Sequence, residues 1–95
     1  MQHELTVQTV SSATANRSQA VKIMEEAAEV FAARDMVAKA YKQKADMKVV
    51  LHLERILADE IADLIIAAVG LAQRWNIDLP AALTRKSAKN KERGY

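Results

Sequence analysis

The sequence has no cysteine, one proline, two glycines and only 4% aromatic residues. The missing cysteine excludes disulfides and thiolate metal centres. The scarcity of glycine and proline leaves little turn chemistry for a sheet. With 51% hydrophobic residues but so few aromatics, the core has to be built from Ala, Leu, Ile and Val. These shortages point to an all-α protein. No stretch is apolar for long enough to span a bilayer, since Leu64 to Ala72 is short and closed by Gln73 and Arg74. The start, MQHELTVQTV, lacks a basic region followed by an apolar run and does not read as a signal peptide. A soluble cytoplasmic protein with no membrane partner is the expectation. Gly-rich phosphate loops, zinc-hydrolase motifs and a nucleophile elbow are also missing.

The 95 residues fit a single domain over 1–95. A chain this short buries a modest share of its surface, and pairing with a second copy would help. The net charge of +2 and pI near 9.0 are too mild to argue for nucleic acid, and none is expected as a partner. Placement of the charge says more. Lys39, Lys42, Lys44 and Lys48 gather mid-chain, and Arg85, Lys86, Lys89, Lys91 and Arg93 gather at the end. The acids concentrate at Glu25, Glu26 and Glu29 and at Asp59, Glu60 and Asp63. An acidic centre flanked by basic segments suits a metal–phosphate ligand.

Helical periodicity organises the chain. Residues 1–15 are weakly patterned and read as a short helix or a mobile arm. Asn16 or Ser18 can cap a first helix that runs to about Arg34. Val21, Met24, Ala27, Ala28 and Phe31 share one face of it, with Lys22, Glu25, Glu26 and Glu29 opposite. Asp35 to Val50 reads as a second helical segment or a lysine-rich helical connection. Leu51 to Trp75 is a long helix, apolar almost all round, which suggests a buried central helix. Phe31 and Trp75 fall on apolar stripes and read as core, although both, like Tyr41 and Tyr95, have rings suited to stacking on a base. Asn76 suits the end of that helix. Asp78 and Pro80 open a last one, over about Leu79 to Glu92, which Gly94 stops. The expected fold is all-α, a compact helical bundle of about four helices.

Two carboxylates interrupt the apolar sector of the long helix. Glu60 and Asp63 stand at its edge, costly positions unless something neutralises them. They are spaced i, i+3, as are Glu26 and Glu29, so each pair lies on one helix face. Should these faces meet, four carboxylates converge and repel one another until a cation intervenes. The donors are all oxygens, which implies a hard cation, Mg²⁺ or Mn²⁺. A di-iron bundle would need Glu-x-x-His pairs, and neither His3 nor His52 follows a glutamate at that spacing. His52 reads as structural or solvent-facing.

Lys22-Ile-Met-Glu25-Glu26-Ala-Ala-Glu29, then Glu60-Ile-Ala-Asp63, then Lys86, Asn90 and Arg93-Gly94-Tyr95 together resemble the MazG-like nucleoside triphosphate pyrophosphohydrolases, which carry an EExxE…ExxD signature. The resemblance covers about Ala20 to Tyr95. It implies a helical homo-oligomer, a dimer or a dimer of dimers, that hydrolyses a nucleoside triphosphate between the α and β phosphates. It implies Mg²⁺ held by Glu26, Glu29, Glu60 and Asp63, with Glu25 as a base or water-orienting group. Lys22, Lys86, Asn90 and Arg93 would contact phosphates or nucleotide. The lysine-rich Asp35 to Val50 stretch makes the interval between Glu29 and Glu60 long for the family. The phosphoribosyl-ATP pyrophosphohydrolases share similar acid motifs, so that substrate stays open. A reading from another class makes the chain a non-catalytic helical dimer that binds a partner.

Overall fold

A computed structural model describes the backbone of residues 5–94 and the side chains of 18–94. Readings that rest on His3, Asn16 or Tyr95 lie outside the described side chains. Three helices follow in order: α1, Leu5–Lys42; α2, Met47–Arg74; and α3, Leu79–Glu92. No strand occurs among the described residues. The all-α expectation holds, but the count of about four becomes three. Residues 5–15, the expected first helix and most of the lysine-rich segment form one continuous helix. Nothing in them breaks it: the stretch contains neither glycine nor proline.

The break falls later, at 43–46, where no strong stop residue stands. Lys44 takes the left-handed conformation, φ 55°. The Ala45 amide donates to the Ala40 carbonyl at 2.9 Å and the Lys44 amide to that of Tyr41 at 3.1 Å, the paired bonds of a Schellman turn. Asp46 then caps α2, its carboxylate accepting from the Lys48 amide. A Cβ in the left-handed region is strained, and glycine is the residue that fits there. Lys44→Gly is therefore expected to stabilise the fold by about 0.5–1 kcal/mol, read as a higher midpoint in urea. A lower midpoint would mean that Lys44 makes a contact more valuable than the strain it carries.

The second break is the expected one. Asn76 is left-handed, φ 55°, and the Ile77 amide donates to the Ala72 carbonyl at 2.9 Å. The Asp78 carboxylate accepts from the Ala81 amide, and Pro80 sits in the first turn of α3. Gly94 at φ 84° follows the end of α3.

Among the described residues, α1 and α2 pack as an antiparallel hairpin, and α3 has no comparable packing along either. The inner positions of α1 are Gln19, Ile23, Glu26, Val30, Ala33, Val37 and Ala40. Those of α2 are Val50, Leu53, Leu57, Glu60, Leu64, Ala67 and Leu71. Both series step alternately by three and four residues, the seam of a coiled coil. The seam is thin. Its most enclosed residues are small, with Val50 2% and Ala67 1% exposed, and no large side chain is fully buried among the described residues.

The expected burial of the other faces does not occur within one chain. The Val21, Met24, Phe31 face of α1 points away from α2, with Met24 71% and Phe31 65% exposed. On α2, Ile61, Ile65 and Ile66 are exposed, and so is Trp75 at the end of the helix. A helix apolar on all sides needs neighbours on all sides, and α2 has one. The chain is accordingly elongated, 59 × 34 × 16 Å with a radius of gyration of 18.1 Å, against about 12 Å for a compact domain of this length. Compactness, as expected from the sequence, is not a property of the single chain. No helix is long and apolar enough to cross a membrane among the described residues.

Candidate functional site

The sequence pattern places acids on the polar side of α1, yet the hairpin turns part of that side inward. Glu26 occupies a seam position between Ile23 and Val30, and Glu60 one between Leu57 and Leu64. They face each other across the antiparallel pair. Glu29, one turn beyond Glu26, reaches the same spot from an exposed position. Glu26, Glu29 and Glu60 each bring one carboxylate oxygen to within 4.8 Å of the others.

Three carboxylates this close, partly withdrawn from water, disturb one another. Glu26 keeps Oε2 shielded from solvent and without a hydrogen-bond partner. Its carboxyl is held above the ordinary glutamate range, first by desolvation, then by the charges of Glu29, Asp63 and Glu25, against a lowering pull from Lys22. Glu60 is also raised. A hydrogen bond with Glu29 is the largest cause, followed by desolvation and the charges of Glu29, Asp63 and Glu26.

The geometry suits a hard divalent ion. The donor set is all oxygen, the oxygens converge, and a shielded oxygen with no partner is costly until something positive meets it. Of the four acids expected to hold metal, Glu26, Glu29 and Glu60 meet. Asp63, one turn along α2 from Glu60 and exposed, is near enough to perturb both Glu26 and Glu60 but is not among the converging oxygens. Glu25 is exposed beside the cluster, and its charge reaches Glu26, as does that of exposed Lys22.

Lys86 and Asn90 lie on α3, and Arg93 caps its end. Because α3 has no comparable packing along either hairpin helix, the single chain does not dock them against the acids. His52 is exposed, in line with a solvent-facing residue.

Two positions near the site escaped sequence reasoning. Gln19 Nε2 donates to the Ala67 carbonyl at 2.8 Å. A Cβ on Gly70 would stand 2.8 Å from that same nitrogen. The available signal was Gly70 itself, an isolated glycine inside a strongly helical stretch, which commonly marks a close approach. Compared with known protein families, curated proteins and solved structures, the chain has no match.

Proposed function

We propose that the chain is a Mg²⁺-dependent nucleoside triphosphate pyrophosphohydrolase of the MazG-like kind, acting between the α and β phosphates to give a nucleoside monophosphate and pyrophosphate. The observation that carries this reading is the meeting of Glu26, Glu29 and Glu60 around the unpartnered Glu26 Oε2. These are three of the acids in the signature that the sequence resembles. The triad, with Asp63 beside it, would hold Mg²⁺, and Mn²⁺ is a reasonable substitute. The bound ion would supply charge neutralisation on the phosphates and a more acidic water.

The side chains do the rest. Glu25, exposed next to the triad, orients the attacking water and accepts its proton. The water oxygen bonds to the α phosphorus as the bond to the bridging oxygen breaks, and pyrophosphate leaves with that electron pair. Lys22 stands close enough to the acids to hold a phosphate oxygen over them. Lys86, Asn90 and Arg93 bind the outer phosphates once α3 is docked in the assembled protein. Positioning and charge are the main requirements of such a transfer. The substrates are free nucleotides of the cytoplasm, and the role is removal of surplus or damaged triphosphates.

The active form is a homo-oligomer. The chain exposes 7865 Å², where a compact monomer of 10.5 kDa exposes about 5,400 Å². The excess, on the order of 2,400 Å² per chain, falls in the range that obligate dimers bury. Two hairpins packed by their apolar faces would make a bundle of four helices between two chains.

The test is incubation with a panel of ribo- and deoxynucleoside triphosphates and phosphoribosyl-ATP, with Mg²⁺ or with EDTA, and identification of products. Mg²⁺-dependent monophosphate plus pyrophosphate is expected, and the ranking separates nucleotide from phosphoribosyl-ATP hydrolysis. Orthophosphate as the first product would overturn the assignment. No turnover, with no thermal shift from Mg²⁺ plus nucleotide, would leave the non-catalytic helical module.

A further inference from the structure

The carboxylates meet only if α1 and α2 are in one particular axial register. A seam of alanine, valine and leucine sets register weakly, because a slip along it replaces one small apolar contact with another. Polar residues in such a seam specify register far better, because a slip leaves them unpaired. Among the described inner positions of the hairpin, three side chains are polar: Glu26, Glu60 and Gln19. The two glutamates repel each other and cannot hold the register that brings them together.

We infer that Gln19 and Gly70 form a register lock, and that Gln19 is a positioning residue for the Glu26–Glu29–Glu60 cluster. Glu26 lies about two helical turns beyond Gln19 on α1, and Glu60 about two turns before Ala67 on α2. The chains run antiparallel, so the Gln19–Ala67 pairing and the Glu26–Glu60 pairing belong to the same register, on the same two faces. Gln19 Nε2 reaches the Ala67 carbonyl at 2.8 Å across the helix–helix boundary. It reaches it over Gly70, where any Cβ would stand 2.8 Å from that nitrogen. The amide head thus donates across the boundary in this register and occupies the space that a Cβ at position 70 would need.

A second bond between the helices, Tyr41 Oη to Glu54 Oε2 at 2.9 Å, closes the other end of the hairpin. It lies near the 43–46 turn, where chain connectivity already limits sliding. Gln19 works at the open end.

The inference rests on the metal reading only for its functional consequence, and the experiment separates the two. Gly70→Ala and Gln19→Ala are compared with wild type and with Tyr41→Phe as control. Mn²⁺ binding is followed by its free-ion resonance. The helix-to-helix distance is followed between nitroxides at the exposed positions Arg34 and His52, each replaced by cysteine. Gly70→Ala is the informative variant. Helix propensity gained at that position and the hydrogen bond lost there are each about the same size, so the melting temperature stays near wild type. Mn²⁺ binding is nonetheless expected to weaken about fivefold to tenfold, with a broadened nitroxide distance. Gln19→Ala should do the same, and Tyr41→Phe should leave both readouts unchanged.

Unaltered Mn²⁺ affinity and unaltered distances in both lock variants would overturn the lock. A wild type that does not bind Mn²⁺ would overturn the metal reading instead. The lock would then stand or fall on the distances alone.

Discussion

Glu60→Gln is expected to lower turnover at least about a hundredfold while making the metal-free protein more resistant to heat. The two effects have one origin. Glu60 is one of three carboxylates whose oxygens meet, and removing its charge removes both a proposed metal ligand and a source of repulsion. The pH dependence carries the same signature. Glu26 and Glu60 have raised pKa values in the fold, so above the ordinary glutamate pKa the folded chain holds protons that the unfolded chain has released. Metal-free stability therefore falls as pH rises from that ordinary value through the raised ones. Below it both states are protonated and these groups contribute nothing.

Melting in EDTA should accordingly show the gap between Glu60→Gln and wild type widening from acid toward neutral pH. Mg²⁺ should close the gap by stabilising wild type alone. A gap that is constant with pH would mean that the carboxylates do not feel one another. Unchanged turnover would remove Glu60 from the chemistry. Asp63→Asn is expected to lose activity too, but with a smaller gain in metal-free stability, because Asp63 repels the triad without being one of its converging oxygens.

Phe31→Glu is expected to break the oligomer. Wild-type protein should sediment at twice 10.5 kDa or more. Phe31 is 65% exposed in the single chain, on the face of α1 that points away from both α2 and the acids. Burying a phenylalanine contributes about 1.5–3 kcal/mol, and a two-fold interface loses it twice. The dissociation constant should rise by about two orders of magnitude or more, and helicity should fall with it, because the hairpin alone has little core. Wild type that sediments as a stable monomer would refute the dimer, and the exposed isoleucines of α2 would then need another explanation. An oligomer that persists in Phe31→Glu would place the contact on α2, a result that Ile65→Glu would check.

The helices and their chemistry were legible to different degrees. The Asn76-Ile-Asp-Leu-Pro80 break could be read because each residue there has a strong positional preference. The break at 43–46 could not, because Lys44 adopts a conformation that lysines seldom take and Asp46 has no marked turn residue before it. The all-apolar character of α2 was plain, but the inference that it sits in the middle of a bundle assumed neighbours that one chain does not contain. Glu26 shows the limit of reading one helix at a time. On the wheel of α1 alone it belongs to the polar side. Only the three-and-four stepping shared with α2 reveals it as a seam residue opposite Glu60. The acid pairs were found through their spacing, whereas Gln19 was passed over because a lone glutamine on a helix carries no pattern.

Lys44 and Gly70 have opposite consequences for anyone redesigning this sequence. A procedure that ranks substitutions by local backbone preference would change both, installing glycine at the turn and alanine within the helix. Glycine at the turn removes strain. Alanine within the helix is equally safe on a melting curve, yet it fills the notch beneath Gln19. Thermal screening alone would carry Gly70→Ala forward as neutral, and on the proposed register lock its cost would surface only in a ligand-binding step further down the campaign.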